Sequence, residues 1–153
     1  MKGIYCNLDL SSFDTKNVKN MRCMFNKCIK LKKLDLSSFN TQNVINMDAM
    51  FQKCEKLESL DLNSFDTKNV DNMNYMFYQC ENLISLNLSS FNTKNVEEMS
   101  YMFSYYKNLD NLSLLCFDTE KLTKIKGIFI GCKKNIIEFN KSKFNKFNED
   151  DMY

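Results

Sequence analysis

The sequence predicts an α/β fold: a leucine-rich-repeat solenoid of five 26-residue repeats, with short parallel strands on the concave side and short helices on the convex side. Three observations lead there. An offset of 26 aligns Leu8, Leu34, Leu60, Leu86 and Leu112, and two residues further on Leu10, Leu36, Leu62, Leu88 and Leu114. The columns headed by Phe13, Thr15 and Phe25 are equally complete, without one inserted residue. Each unit, LxxLxLSSF[DN]TxNVxNMxxMFxxC, also changes period halfway along, from two to that of a helix.

The first half of a unit gives the strand. Leu34, Asp35, Leu36 and Ser37 alternate apolar with polar, the pattern of a strand with one buried face. The junction follows in Asn40, Thr41 and Asn43, whose short side chains bond nearby backbone and favour turns, so Asn17, Asn43, Asn69 and Asn95 are N-cap candidates. The helix comes next, because Met47, Met50, Phe51 and Cys54 stand at i, i+3, i+4 and i+7. One unit cannot bury its apolar side chains alone, so neighbours must stack. Packed helices are wider than paired strands, which curves the stack into a short arc.

The repeats occupy residues 1–134, and a capping segment, 135–153, leaves the repeat pattern with a last strand over Ile137 to Phe139. Tyr5 already stands in the first leucine column with no cap before it, so self-association through an uncapped N-terminal edge is one expectation. The opening MKGIYCNLDL lacks the apolar core of a secretion signal, and no apolar run approaches a membrane span.

Composition narrows the function. With no His anywhere, Ser-His and Cys-His nucleophile systems and mixed Cys/His metal sites are excluded. No Gly-rich phosphate loop exists among three glycines, so the chain reads as a non-enzyme without catalytic residues, cofactor or metal. Lys16, Lys68 and Lys94 share a column with Gln42 and Glu120, which gives no basic stripe for nucleic acid. Cys28, Cys54, Cys80 and Cys132 share one column with Tyr106 and read as small buried fillers. Adjacent helices would hold them too far apart to bridge, so free thiols are expected, with Cys6, Cys23 and Cys116 as scattered singles.

Two surfaces remain for a protein ligand. On the concave sheet Asp9, Asp35, Asp61, Asn87 and Ser113 form one outward column beside Ser11, Ser37, Asn63 and Ser89, and stacked carboxylates invite a basic partner or a hard cation. Plain solvation of a polar face explains the same column. On the convex side Tyr75, Tyr78, Tyr101 and Tyr105 turn away from the methionine face on two consecutive repeats. Tyrosine is enriched at binding hot spots, although scattered surface aromatics give the same pattern. The concave column is the favoured surface.

The LxxLxLxxF segment followed by MFxxCxxL resembles the BspA-like leucine-rich repeats, and the FDTKNV and FNTQNV turns resemble their 26-residue branch, abundant in mycoplasma-type surface proteins. The likeness spans about residues 5 to 134. It departs at Tyr106, and in the last repeat at Leu122, Ile125 and Ile128. The resemblance implies adhesion or host-protein binding at the cell surface or after secretion, and no reaction. Absent signal and free thiols leave an intracellular scaffold or effector with a cytosolic protein partner as the alternative.

Overall fold

The computed structural model describes residues 8–153; Tyr5 and Cys6 lie outside the described residues. The described chain is a pile of 26-residue coils without strand-and-helix layers. No named strand or sheet occurs among the described residues, only isolated parallel bridges, and every helix lies beyond residue 133. The expected solenoid of concave strands and convex helices is therefore incorrect.

The segment expected to be helical shows why. In Met47–Cys54 the N–H groups of Met47, Ala49, Phe51 and Lys53 donate to the carbonyls of Asn72, Asn74, Met76 and Tyr78 in the following coil. Met50, Gln52 and Cys54 instead donate three residues back, to Met47, Ala49 and Phe51. Alternate amides thus leave the coil while the others close tight turns, and no helical bond pattern remains. Ala49 and Lys53 have φ of 55° and 60°, the left-handed geometry that a turn needs at its third residue and that an α-helix excludes. A chain of turns repeating every four residues buries Met47, Met50, Phe51 and Cys54 together, as a helix face would. The helical period is real, and its cause is different.

The leucine half is also irregular. Leu34 and Leu36 are buried and Asp35 is exposed, so the alternation holds. The Asp35 carboxylate accepts the Ser37 N–H at 2.9 Å, and Phe39 N–H closes a turn onto the Leu36 carbonyl. The chain bends before a ladder can extend, and Ser85 with Asn111 is the isolated bridge found there. A firmer seam runs through Asn20, Asn46, Asn72, Glu98 and Lys124, each bridged in parallel to the next.

Side chains tie the coils together. Thr41 Oγ1 donates to the Asp66 carbonyl at 3.1 Å and accepts the Asp66 N–H at 2.8 Å, and Thr15, Thr67 and Thr93 repeat this reciprocal pair with Asn40, Asn92 and Asp118. Asn43, Asn69 and Asn95 are not N-caps; their amides donate backward to the carbonyls of Lys16, Gln42 and Lys68. Inside, Phe25, Phe51, Phe77, Phe103 and Phe129 stack in file, with centroids 5.6–6.4 Å apart.

The cysteine file lies in this interior. Cys54, Cys80 and Cys132 are free thiols donating to the carbonyls of Phe25, Phe51 and Phe103. Burial pushes Cys54 up to about 12 and Cys132 to about 11, which leaves both as unreactive neutral thiols. Helix width cannot be what separates them, since hydrogen-bonded coils stand about 4.8 Å apart. Cys116 takes the place of Ser38 and Ser90, and its sulfur contacts the Leu88 carbonyl as their hydroxyls contact Leu10 and Leu62.

The C-terminal segment closes the stack with α1 (Lys134–Asn140), a 3-10 turn (Lys141–Phe144) and α2 (Glu149–Met152). Ile137 and Phe139, expected in a strand, lie in α1, whose buried side chains are Ile136 and Asn140. Buried Asn140 accepts the Leu114 N–H and donates to the Leu112 carbonyl, supplying the contacts a further coil would make. The carbonyls of Asp151 and Met152 take the Gly127 and Phe129 N–H groups. At the other end Leu8 and Phe13 are 48% and 51% exposed, whereas Leu34 and Phe39 in the next coil are buried.

Candidate functional site

The acidic column is exposed on successive coils, but among the described residues no concave sheet carries it. Without a concave sheet, Asp9, Asp35, Asp61 and Asn87 each sit at a corner and accept a backbone N–H two residues on, from Ser11, Ser37, Asn63 and Ser89. These side chains serve as turn caps, the ordinary use of Asp and Asn at such positions. Ser113 occupies the same corner in the last repeat and is exposed. A shallow depression of about 330 Å³ opens between the first two corners, lined by Leu8, Asp9, Lys33, Leu34 and Asp35. Among the described residues no group of His, Cys, Asp and Glu is arranged to hold a metal.

These caps carry a pH signature. The Ser11 and Ser37 N–H groups, aided by the hydroxyls, hold Asp9 and Asp35 below the ordinary carboxylate value. A depressed folded pKa contributes stability above the unfolded value, near 3.9, and that contribution disappears as pH falls through the lower folded value. Asp35→Asn keeps the cap and removes the charge, so the urea midpoint of this variant should fall less than wild type below about pH 4. Identical acid titrations of the two would refute the assignment.

The tyrosines are brought together. Tyr75 stacks on Tyr101 at 4.9 Å, Tyr78 packs edge-on against Tyr75 at 5.6 Å, and Tyr105 packs edge-on against Tyr78 at 5.5 Å. All four are half-buried, and burial raises the phenols of Tyr75 and Tyr78 above their ordinary range. Tyr75, Tyr101 and Tyr105 have φ of 55°, 58° and 63°, where a bulky residue is unfavourable by about 1–2 kcal/mol. The quartet therefore stands on backbone that local preference would give to glycine.

Glycine does stand there in the last coil, and the sequence carried that signal unread. Gly127 and Gly131 occupy the columns of Tyr101 and Tyr105, with φ of 62° and 68°. A Cβ on Gly127 would lie 2.5 Å from Tyr101 Cε1, and one on Gly131 would lie 2.9 Å from Tyr105 Cδ1. Both glycines are seats for rings leaning from the coil before. Gly127→Ala should displace the Tyr101 ring and lower stability by about 1–2 kcal/mol. Near-UV circular dichroism reads the ring movement, and an unchanged tyrosine signal would sink the seating argument.

The surroundings of the quartet are almost uncharged. Asn74, Gln79, Ser100 and Ile130 stand beside it in the chain or in the next coil, as does Lys126, and Asp48 acts on Tyr75 from the coil before. The nearest acids are engaged: Asp48 pairs with Arg22 at 2.8 Å, and Glu98 binds Lys124 and the amides of Asn72 and Asn74. No helix among the described residues is long and apolar enough to cross a membrane. Such a face offers rings, amides and hydroxyls for binding by contact.

No curated protein and no solved structure matches the chain. One family matches it twice, over residues 2–112 and again over 82–152, as a chain repeating its own unit would allow. Together the matches take in nearly all of its length, and the chain belongs to the family described as Mycoplasma protein of unknown function, DUF285.

Proposed function

We propose that this chain is a protein-recognition module of BspA-like kinship, working in adhesion or host-protein binding at a cell surface, with the tyrosine quartet as its contact face. One observation carries the reading: four tyrosines converge on one face although three of them occupy left-handed backbone. Tyrosine supplies large rigid area with a polar tip at small entropic cost, and the amides and hydroxyls around it supply adaptable hydrogen bonds. The acidic column, favoured on sequence grounds, ranks second because its acids already serve as turn caps.

The test compares partner capture by the wild-type chain and by Tyr75→Asn/Tyr101→Asn. Asparagine tolerates the left-handed geometry, so the coils should stay intact while the ring area is lost. Partner recovery should fall at least about tenfold with little change in melting temperature. Equal recovery by both chains would remove the quartet as the contact face. An intracellular scaffold or effector is the second reading, favoured by the free cysteines Cys23, Cys54, Cys80, Cys116 and Cys132.

A further inference from the structure

The charges bordering the quartet specify the chemistry of its partner. Lys53 donates its backbone N–H to the Tyr78 carbonyl, and Lys126 accepts the Tyr101 N–H on its own carbonyl, so one lysine adjoins each side of the aromatic cluster. Five cations pair across coils, Arg22 with Asp48, Lys32 with Glu58, Lys107 with Glu81, Lys124 with Glu98 and Lys133 with Asp110, whereas Lys16 and Lys94, remote from the quartet, form no ion pair among the described residues. Lys53 and Lys126 have no such pair among the described residues. Between them the segments from Asn74 to Gln79 and from Ser100 to Tyr106 carry no acidic side chain, and Asp48, which acts on Tyr75 from the coil before, is paired with Arg22. Positive borders around a neutral aromatic centre demand the opposite arrangement opposite them.

We infer that the quartet docks an extended polypeptide segment whose apolar or aromatic centre is flanked on both sides by carboxylates, with Lys53 and Lys126 receiving the two acidic flanks. The inference rests on the recognition reading above. The lysines are three coils apart, about 14 Å along the stack at 4.8 Å per coil, and five positions apart around the coil, so an extended segment joining them runs obliquely and spans more than about four residues. The acids of the partner thus sit at least about five positions apart, with rings or aliphatic side chains between them. Their charge also speeds encounter and makes binding sensitive to salt.

Three synthetic dodecapeptides test this on the immobilised full chain by biolayer interferometry: a Phe-rich centre with aspartates on both sides, the same centre with lysines, and the aspartate flanks around alanines. The first should bind at least about tenfold more tightly than either other peptide. Lys53→Glu/Lys126→Glu should invert the flank preference, whereas Lys16→Glu/Lys94→Glu, with the same change in net charge, should preserve it. Circular dichroism matching wild type verifies that each variant is folded. Equal affinity for both flanks, a preference surviving the first charge reversal, a preference lost in the second, or no binding of the aspartate peptide overturns the inference. The recognition reading stands or falls separately, on the tyrosine variant and captured partners.

Discussion

Phe77→Ala is expected to lower stability by about 3–5 kcal/mol, a large share of what holds a domain of this size together. Phe77 is fully buried and lies between Phe51 and Phe103, with centroids 5.7 and 6.1 Å away and ring planes within 4° and 12° of parallel. Truncation leaves a void that neither neighbour can fill, because each is fixed by its own coil's hydrogen bonds to the next. Stacked aromatic contacts, about 0.5–1.5 kcal/mol each beyond burial, are lost on both sides. Phe13→Ala is the internal control. Phe13 is half exposed in the first described coil, so its loss should remain below about 1 kcal/mol. Urea unfolding of both variants makes the comparison, and similar midpoints would contradict the interior file.

Thr67→Val is the second large effect. One hydroxyl serves two backbone groups at once, donating to the Asn92 carbonyl at 3.0 Å and accepting the Asn92 N–H at 2.8 Å. Valine keeps the shape and leaves both groups without a partner beside a buried side chain, at about 1–3 kcal/mol for each unmet group. Thr67→Ser restores the hydroxyl and should recover most of the loss. Hydrogen exchange at Asn92 localises the effect, since its amide should lose protection in the valine variant. A valine variant as stable as the serine variant would show that the pair contributes nothing.

The columns of the sequence were legible because burial follows them: Leu34, Leu36, Phe39, Val44, Met47 and Phe51 are all interior. Secondary structure was not legible, and the reason is specific. A helix and a run of turns with left-handed residues at every fourth position both bury i, i+3, i+4 and i+7, so hydrophobic period cannot separate them. The distinguishing mark was Gly127 and Gly131 standing four apart in the columns of Tyr101 and Tyr105, which points to positive φ and against a helix. The Thr column was equally visible, yet a hydroxyl paired with the next coil is indistinguishable in sequence from one that caps a helix. Tyr75, Tyr78, Tyr101 and Tyr105 were identified as neighbours from helix angles; the turn geometry also brings them together.

Over the turn segments every bond between coils points one way, from an amide to the carbonyl of the coil that follows. This seam is vectorial, and the neighbouring one runs the opposite way, from the amides of Ile45, Asp71 and Glu97 back to Lys19, Ile45 and Asp71. Asp151 and Met152 terminate the first seam at its head by presenting oxygens to Gly127 and Phe129. New coils spliced in as whole 26-residue units ahead of that stopper would inherit compatible donors and acceptors.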